Sequence, residues 1–201
     1  MNGFITYIYK TTSEEAVSLN RTTPYQRKEL KSIFSAEAPQ LWLFVQFMFY
    51  TLVRPKELRF VQVADLQGDT LLIRGTIAKN SKTEHVVIPP KLKKVIAEAG
   101  LTSYPPTFYL FGKEGRPSVK HWGTNHFYRK HQAFLQRLGY SDQYSLYSWK
   151  HTGVIISYQK NIKIVDISRQ CRHGDLVQTT TYLRSLGLSD SGYNQAEDIE
   201  L

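Results

Sequence analysis

Five short stretches of this chain carry side chains suited to work on a phosphate. Arg54 lies in LVRPKELRF and Lys82 in NSKTEHVVIPP. Tyr147, Lys150 and His151 lie in YSWKHT, His173 in CRHGD and Tyr182 in TTTYLR. Guanidinium and ammonium groups stabilise charge on non-bridging oxygens, and a phenol is a nucleophile once its proton leaves. The sequence has no GxxxxGKS/T loop, no GxGxxG, no HExxH and no GxSxG, and its sparse carboxylates form no metal-binding spacing. That argues against ATP-driven and metal-dependent chemistry. It leaves metal-free phosphoryl transfer, which needs cations around a phosphate and a nucleophile.

Taken singly, each residue also has a structural explanation. A helix tyrosine such as Tyr182 normally packs with its hydroxyl satisfied. Arg54 suits a surface ion pair, Lys82 a solvated turn, His151 a buried core position, and His173 a helix end before Gly174. Trp149 reads as a core residue. Lys79 competes with Lys82 for one position, but using it lengthens the hairpin by three residues, so Lys82 is preferred.

The elements that must hold these residues follow from turn signals and periodicity. Thr23-Pro24 reads as a cap and first position of a helix over 25–34. Pro39 opens a second helix through the apolar run to Leu52, and Pro55 a third over 55–62. After Asp65, LQGDTLLIRG, TIAKN and HVVIPP are short β-branched runs, as in a small antiparallel sheet. A helix over 91–99 ends at Gly100. Helical patterns then cover 122–138, 146–159, 162–172 and 176–186. The reading is a mainly α chain with a small antiparallel β-sheet inserted after its first third.

The chain has 201 residues, 26 of them basic and 17 acidic, for a net charge of +9 and a pI near 9.5. The length suits one substantial domain, and 41% hydrophobic residues can fill its core. One cysteine excludes a disulfide framework and a cysteine-rich zinc site. The longest apolar run, over 41–53, is too short for a membrane span, and the opening MNGFITYIYK lacks the pattern of a secretory signal. A cytoplasmic protein is expected. The basic surplus favours a polyanion. Lys113, Arg116, Lys120, His121, His126, Arg129, Lys130 and His131 fall in or just before one helix with Trp122 and Tyr128. They read either as an ordinary solvated face or as a stripe that grips phosphates. Arg27, Lys28 and Lys31 add to it.

The order and spacing of the five stretches resemble the catalytic domain of tyrosine recombinases, the phage-integrase family. Members carry an arginine at a helix junction, often before Glu-Leu, matched by Arg54 and Glu57-Leu58. A hairpin lysine before Val/Ile-Pro follows, matched by Lys82, and then a His-x-x-Arg-His-Thr helix, matched by YSWKHT. A Gly-His or Arg-His step comes next, with Thr-Thr-x-x-Tyr ending nine residues after its histidine, matched by His173 and Tyr182. The resemblance spans residues 23–186. It implies an integrase-type, DNA breaking-rejoining fold. It also implies a site-specific recombinase in which Tyr182 forms a 3′-phosphotyrosine, with Arg54, Lys82, Lys150, His173 and Tyr147 catalytic. Lys79, Lys120, Arg129, Lys130 and His151 are then DNA contacts, and no cofactor or metal is needed.

Tyr147 and Lys150 depart from the family's His-x-x-Arg. Lys150 keeps the charge but not the bidentate fork, and Tyr147 is a poor base near neutral pH. This pair motivates the alternative of a non-catalytic DNA-binding regulator with the integrase fold. A type IB topoisomerase shares much of the chemistry. The implied partner is double-stranded DNA, held by a homo-tetramer with exchanged C-terminal tails, while a monomer in isolation is equally compatible. The expected divisions are an arm or linker at 1–22, the catalytic domain at 23–188 and an acidic tail at 189–201. Family enzymes usually carry a further N-terminal helical domain, so either a piece of a longer protein, which is preferred, or a naturally minimal one is expected.

Overall fold

In the computed structural model, which describes Phe34 and residues 36–188, helix α1 runs Pro39–Thr51. Proline suits its first turn, where an N–H would have no intrahelical partner. Leu52 ends it in the left-handed region, at φ 56°, with its N–H donated to Met48 O. The reversal delivers Val53-Arg54 to the start of the short α2, Pro55–Leu58. The expected helix over 55–62 stops there. The chain turns through Val63–Asp65, whose entry is fixed by the Gln62 N–H donating to Asp65 Oδ2 at 2.8 Å.

Leu41, Phe44, Val45, Phe47 and Met48 are all fully or almost fully buried, so α1 is the axis of the core. A helix apolar on most sides must be covered on most sides. Helix α5, Ser148–Gln159, lies directly against it. Gly153 sets the approach: a Cβ there would stand 2.3 Å from Phe49 O and 2.8 Å from Leu52 Cδ2. Gly153→Ala is expected to force the helices apart at a cost of about 1–3 kcal/mol. A lower urea midpoint with an unchanged slope would report it; an unchanged midpoint would contradict so close a contact.

Strands β1, Leu66–Gln67, β2, Thr70–Ile73, and β3, Glu84–Val87, form an antiparallel sheet in the order β1-β2-β3. Leu71 pairs with Val86 and Ile73 with Glu84, and the alternation turns Leu71, Ile73 and Val86 into the core. TIAKN, expected as a strand, is a turn instead. The Ile77 and Ala78 N–H groups both donate to Arg74 O, so they are taken up locally rather than by a ladder.

Helix α3, Pro90–Glu98, is followed by Gly100 at φ 58°. Helix α4, His126–Arg137, starts four residues later than expected. The Trp122 and His126 rings stack at 3.6 Å, and Trp122 Nε1 donates to Gln40 Oε1, which pins this segment to α1. Helices α6, Ile164–Cys171, and α7, Leu176–Ser185, complete the described chain. A second apolar cluster of Leu52, Val154, Ile167, Cys171 and Leu183 joins the end of α1 to α5, α6 and α7. The elements that carry the candidate residues are therefore sewn together by their own core.

The architecture is mostly helical with one small antiparallel sheet, as the sequence led us to expect. The arm at 1–22, all of the helix over 25–34 but Phe34, and the acidic tail lie outside the described residues. No helix among the described residues is long and apolar enough to cross a membrane.

Candidate active site

Glu57 organises the site. Its carboxylate is 2% exposed and accepts from four donors. The Arg54 N–H reaches Oε2 at 3.3 Å and Arg54 Nη1 reaches Oε1 at 3.2 Å. The Lys79 N–H donates to Oε1 at 2.9 Å, and Arg172 Nη2 donates to Oε2. Burial alone would raise its pKa. The Lys79 amide and the two guanidiniums outweigh that and hold the carboxyl below its ordinary range. One carboxylate thus orients two arginines that lie 118 positions apart in sequence.

Helix α5 adds three residues from its first turn and its N-cap. Lys150 is 1% exposed, with Nζ 5.7 Å from the centre of the Tyr147 ring. Burial lowers its pKa to about 8, and the nearby Arg54 and Arg172 charges push the same way. Burial raises the Tyr147 phenol, which the neighbouring Arg54 charge partly opposes. His151 is buried, and its Nδ1 faces the Tyr182 hydroxyl at 2.5 Å. Burial and the Lys150 charge lower the His151 pKa to about 4, so the ring is neutral at pH 7.

Helix α6 ends on Arg172 in the left-handed region, φ 56° and ψ 52°, with the His173 N–H returning to Ser168 O. Glycine is the usual residue at such an end, and a side chain there costs about 1–2 kcal/mol. Asp175 caps α7 by accepting the Gln178 N–H at 2.6 Å. The cap sets the helix so that Thr179, Tyr182 and Leu183, three and four residues apart, share its inner face. Thr179 Oγ1 lies 2.8 Å from His173 Nδ1. The His173 ring centre is 5.6 Å from that of Tyr182. Burial lowers the His173 pKa to about 4, with Lys150 and Arg54 adding to the effect. Burial also raises the Tyr182 phenol strongly, against the pull of Arg54.

Arg54, Tyr147, Lys150, His173 and Tyr182 therefore gather in one place. Lys82 stands apart on the exposed turn of the β2–β3 connection, where its N–H donates to Asn80 Oδ1. Lys79, exposed but tied to Glu57 through its backbone, lines a cavity of about 730 Å³ beside Arg54, Lys56, Arg59 and Tyr147. Lys120, Arg129 and Lys130 are exposed. His151, expected among the DNA contacts, lies inside against Tyr182. His131 was expected in the basic stripe and is not on it: it is fully buried and accepts from Trp149 Nε1 at 3.1 Å. Sequence reasoning assigned no part to Arg172 or Thr179 and quoted Glu57 only as half of a dipeptide. A carboxylate three residues after Arg54, at the start of a helix, was the signal available for Glu57.

With this geometry in hand, the chain can be set beside solved structures. XerA recombinase matches with a TM-score of 0.65 at 18% identity, over 89% of this chain and 67% of that one. The Tn1549 transposon integrase, solved in complex with a circular intermediate DNA, matches at 0.67 and 11% identity, over 88% and 65%. A lambda integrase dimer bound to a COC′ core site matches at 0.67 and 13% identity, over 94% and 53%. This chain has the integrase catalytic-domain fold. It spans about two thirds of the XerA and Tn1549 chains and about half of the lambda integrase chain. No protein-family model and no curated protein sequence matches it.

Proposed function

We propose that the protein is a DNA strand transferase of the tyrosine recombinase type, cutting and rejoining DNA through Tyr182. The observation that carries this reading is the Tyr182 hydroxyl 2.5 Å from the neutral imidazole of His151, with Arg54, Lys150 and His173 close by. The Tyr182 oxygen attacks a phosphodiester phosphorus, and its proton passes to His151 Nδ1. The phosphorus–5′-oxygen bond breaks, leaving a 3′-phosphotyrosine and a 5′-hydroxyl. The bond energy is retained, so reversal by another 5′-hydroxyl rejoins a strand.

Arg54 and Lys150 balance the charge that develops on the non-bridging oxygens. His173, held through Nδ1 against Thr179 Oγ1, binds a phosphate oxygen through Nε2. A hairpin lysine protonates the leaving oxygen. Lys79, tied to Glu57 and lining the adjoining cavity, favours itself over Lys82 for that part. The exposed Lys120, Arg129 and Lys130 hold the duplex backbone. On this reading the working assembly is a tetramer on two duplexes.

A duplex nicked close to the cleavage point tests the function, because loss of the short fragment traps the covalent state. The protein is expected to form an SDS-resistant adduct in the presence of EDTA and without ATP. The departures at Tyr147 and Lys150 favour the rival, a DNA-binding regulator. DNA retained from its correct site with no adduct would establish that rival and end the present reading.

The lysine in place of an arginine has a pH signature. Lys150 is a cation below about pH 8 and loses its charge above it. The rate of adduct formation is expected to fall as pH rises through that value. Lys150→Arg is expected to remove this alkaline decline, since a guanidinium stays charged. The same decline in both proteins would contradict a charge role for Lys150.

A further inference from the structure

We infer that Arg172 supplies the second guanidinium that binds the scissile phosphate, doing from the end of α6 what Lys150 cannot do from α5. The inference rests on the function proposed above and extends it to a residue outside the expected set. Its side chain is 1% exposed and makes one ion pair, from Nη2 to Glu57. Nε and Nη1 are buried and have no hydrogen-bond partner. Buried guanidinium donors are rarely left unpaired, and two on one group point to a ligand that is itself an acceptor.

The surroundings indicate its charge. Arg54 and Arg172 hold opposite oxygens of Glu57, and Lys150 lies close enough for both arginines to depress its pKa. Three cations share one carboxylate, an imbalance that a phosphate corrects. The fork of an arginine can bind two phosphate oxygens, which an ammonium cannot. The backbone is consistent: α6 ends on an arginine in a conformation that glycine adopts freely, so this site holds a side chain where none is needed for the turn.

The test uses the full chain on the nicked duplex. Arg172→Gly suits the left-handed backbone and removes the guanidinium, Arg172→Lys keeps a charge without the fork, and thermal melts check folding of both. We expect Arg172→Gly to slow adduct formation about 10²–10³-fold, and Arg172→Lys to recover little of it. A methylphosphonate at the scissile position carries no negative charge to neutralise. On that substrate the gap between the wild type and Arg172→Gly is expected to shrink to below about tenfold, whereas a purely structural defect persists on both substrates. Adding Lys150→Arg to Arg172→Gly returns a guanidinium to the site and is expected to raise the rate again. Wild-type speed in Arg172→Gly, or an equal defect on both substrates, overturns the inference while leaving Tyr182 chemistry intact. Absence of any adduct from the wild type overturns both.

Discussion

Tyr182→Phe will form no covalent adduct with DNA while binding the same duplex as the wild type does. The substitution removes one oxygen. That oxygen is the nucleophile of the proposed reaction, so the loss is complete rather than partial. The rest of the ring stays in place, packed against the cluster of Leu52, Val154, Ile167, Cys171 and Leu183. The hydroxyl's contact with His151 Nδ1 is the polar interaction given up. A neutral hydrogen bond of this kind contributes about 1 kcal/mol, so the variant stays folded. Gel retention and SDS-resistant adduct formation are to be measured on one preparation. Residual adduct in Tyr182→Phe would move the nucleophile to another residue. Loss of DNA retention would make the tyrosine a binding group.

Glu57→Gln is expected to carry the largest stability change and a large loss of rate. The carboxylate neutralises two guanidiniums at a position that is 2% exposed, and one of them, on Arg172, is itself buried. Removing one partner of such a pair leaves uncompensated charge, at a cost of about 3–5 kcal/mol. Glutamine keeps the volume, so this effect is electrostatic rather than a cavity. The pH dependence fixes the sign. The folded-state pKa of Glu57 lies below its unfolded value, so the carboxylate's contribution is complete above the unfolded value of about 4.3. It is lost as pH falls through the depressed one. Urea unfolding of the two proteins is therefore expected to differ most near neutrality and to converge in acid. A constant gap at all pH values would mean that the effect is not one of charge. Because Arg54 and Arg172 both take their orientation from Glu57, the adduct rate should fall about 10²-fold as well.

The helical architecture was largely legible because its signals are local. Pro39 and Pro55 mark helix starts, Gly100 follows α3, and the apolar run through α1 demands burial. The errors have physical reasons of longer range. Trp122–Asn125 has a helical pattern, but the stacking of Trp122 on His126 and its bond to Gln40 in α1 override it. Residues 76–80 favour strand by composition, yet the Ile77 and Ala78 N–H groups fold back on Arg74 O and the Lys79 N–H goes to Glu57.

Arg54, His173 and Tyr182, singled out by chemistry and spacing, come together in the fold. What sequence could not give was the pairing of distant groups. Nothing in a linear reading tells that Arg172 reaches Glu57, that His151 rather than Tyr147 meets the Tyr182 hydroxyl, or that Lys79 rather than Lys82 is tied to the carboxylate. Each depends on a helix end or hairpin turn whose geometry is set by tertiary packing. His131 shows the converse: a basic residue on a basic helix still turned inward, because Trp149 offers its indole N–H there.

Peptide mapping of the trapped adduct tests directly whether Tyr182 is the residue joined to DNA. After nuclease and protease digestion, mass spectrometry locates the residue that retains a nucleotide through its 3′-phosphate. That mass is expected on Tyr182 and on no other residue. A nucleotide attached elsewhere, or DNA bound at its correct site with no attachment at all, would contradict it.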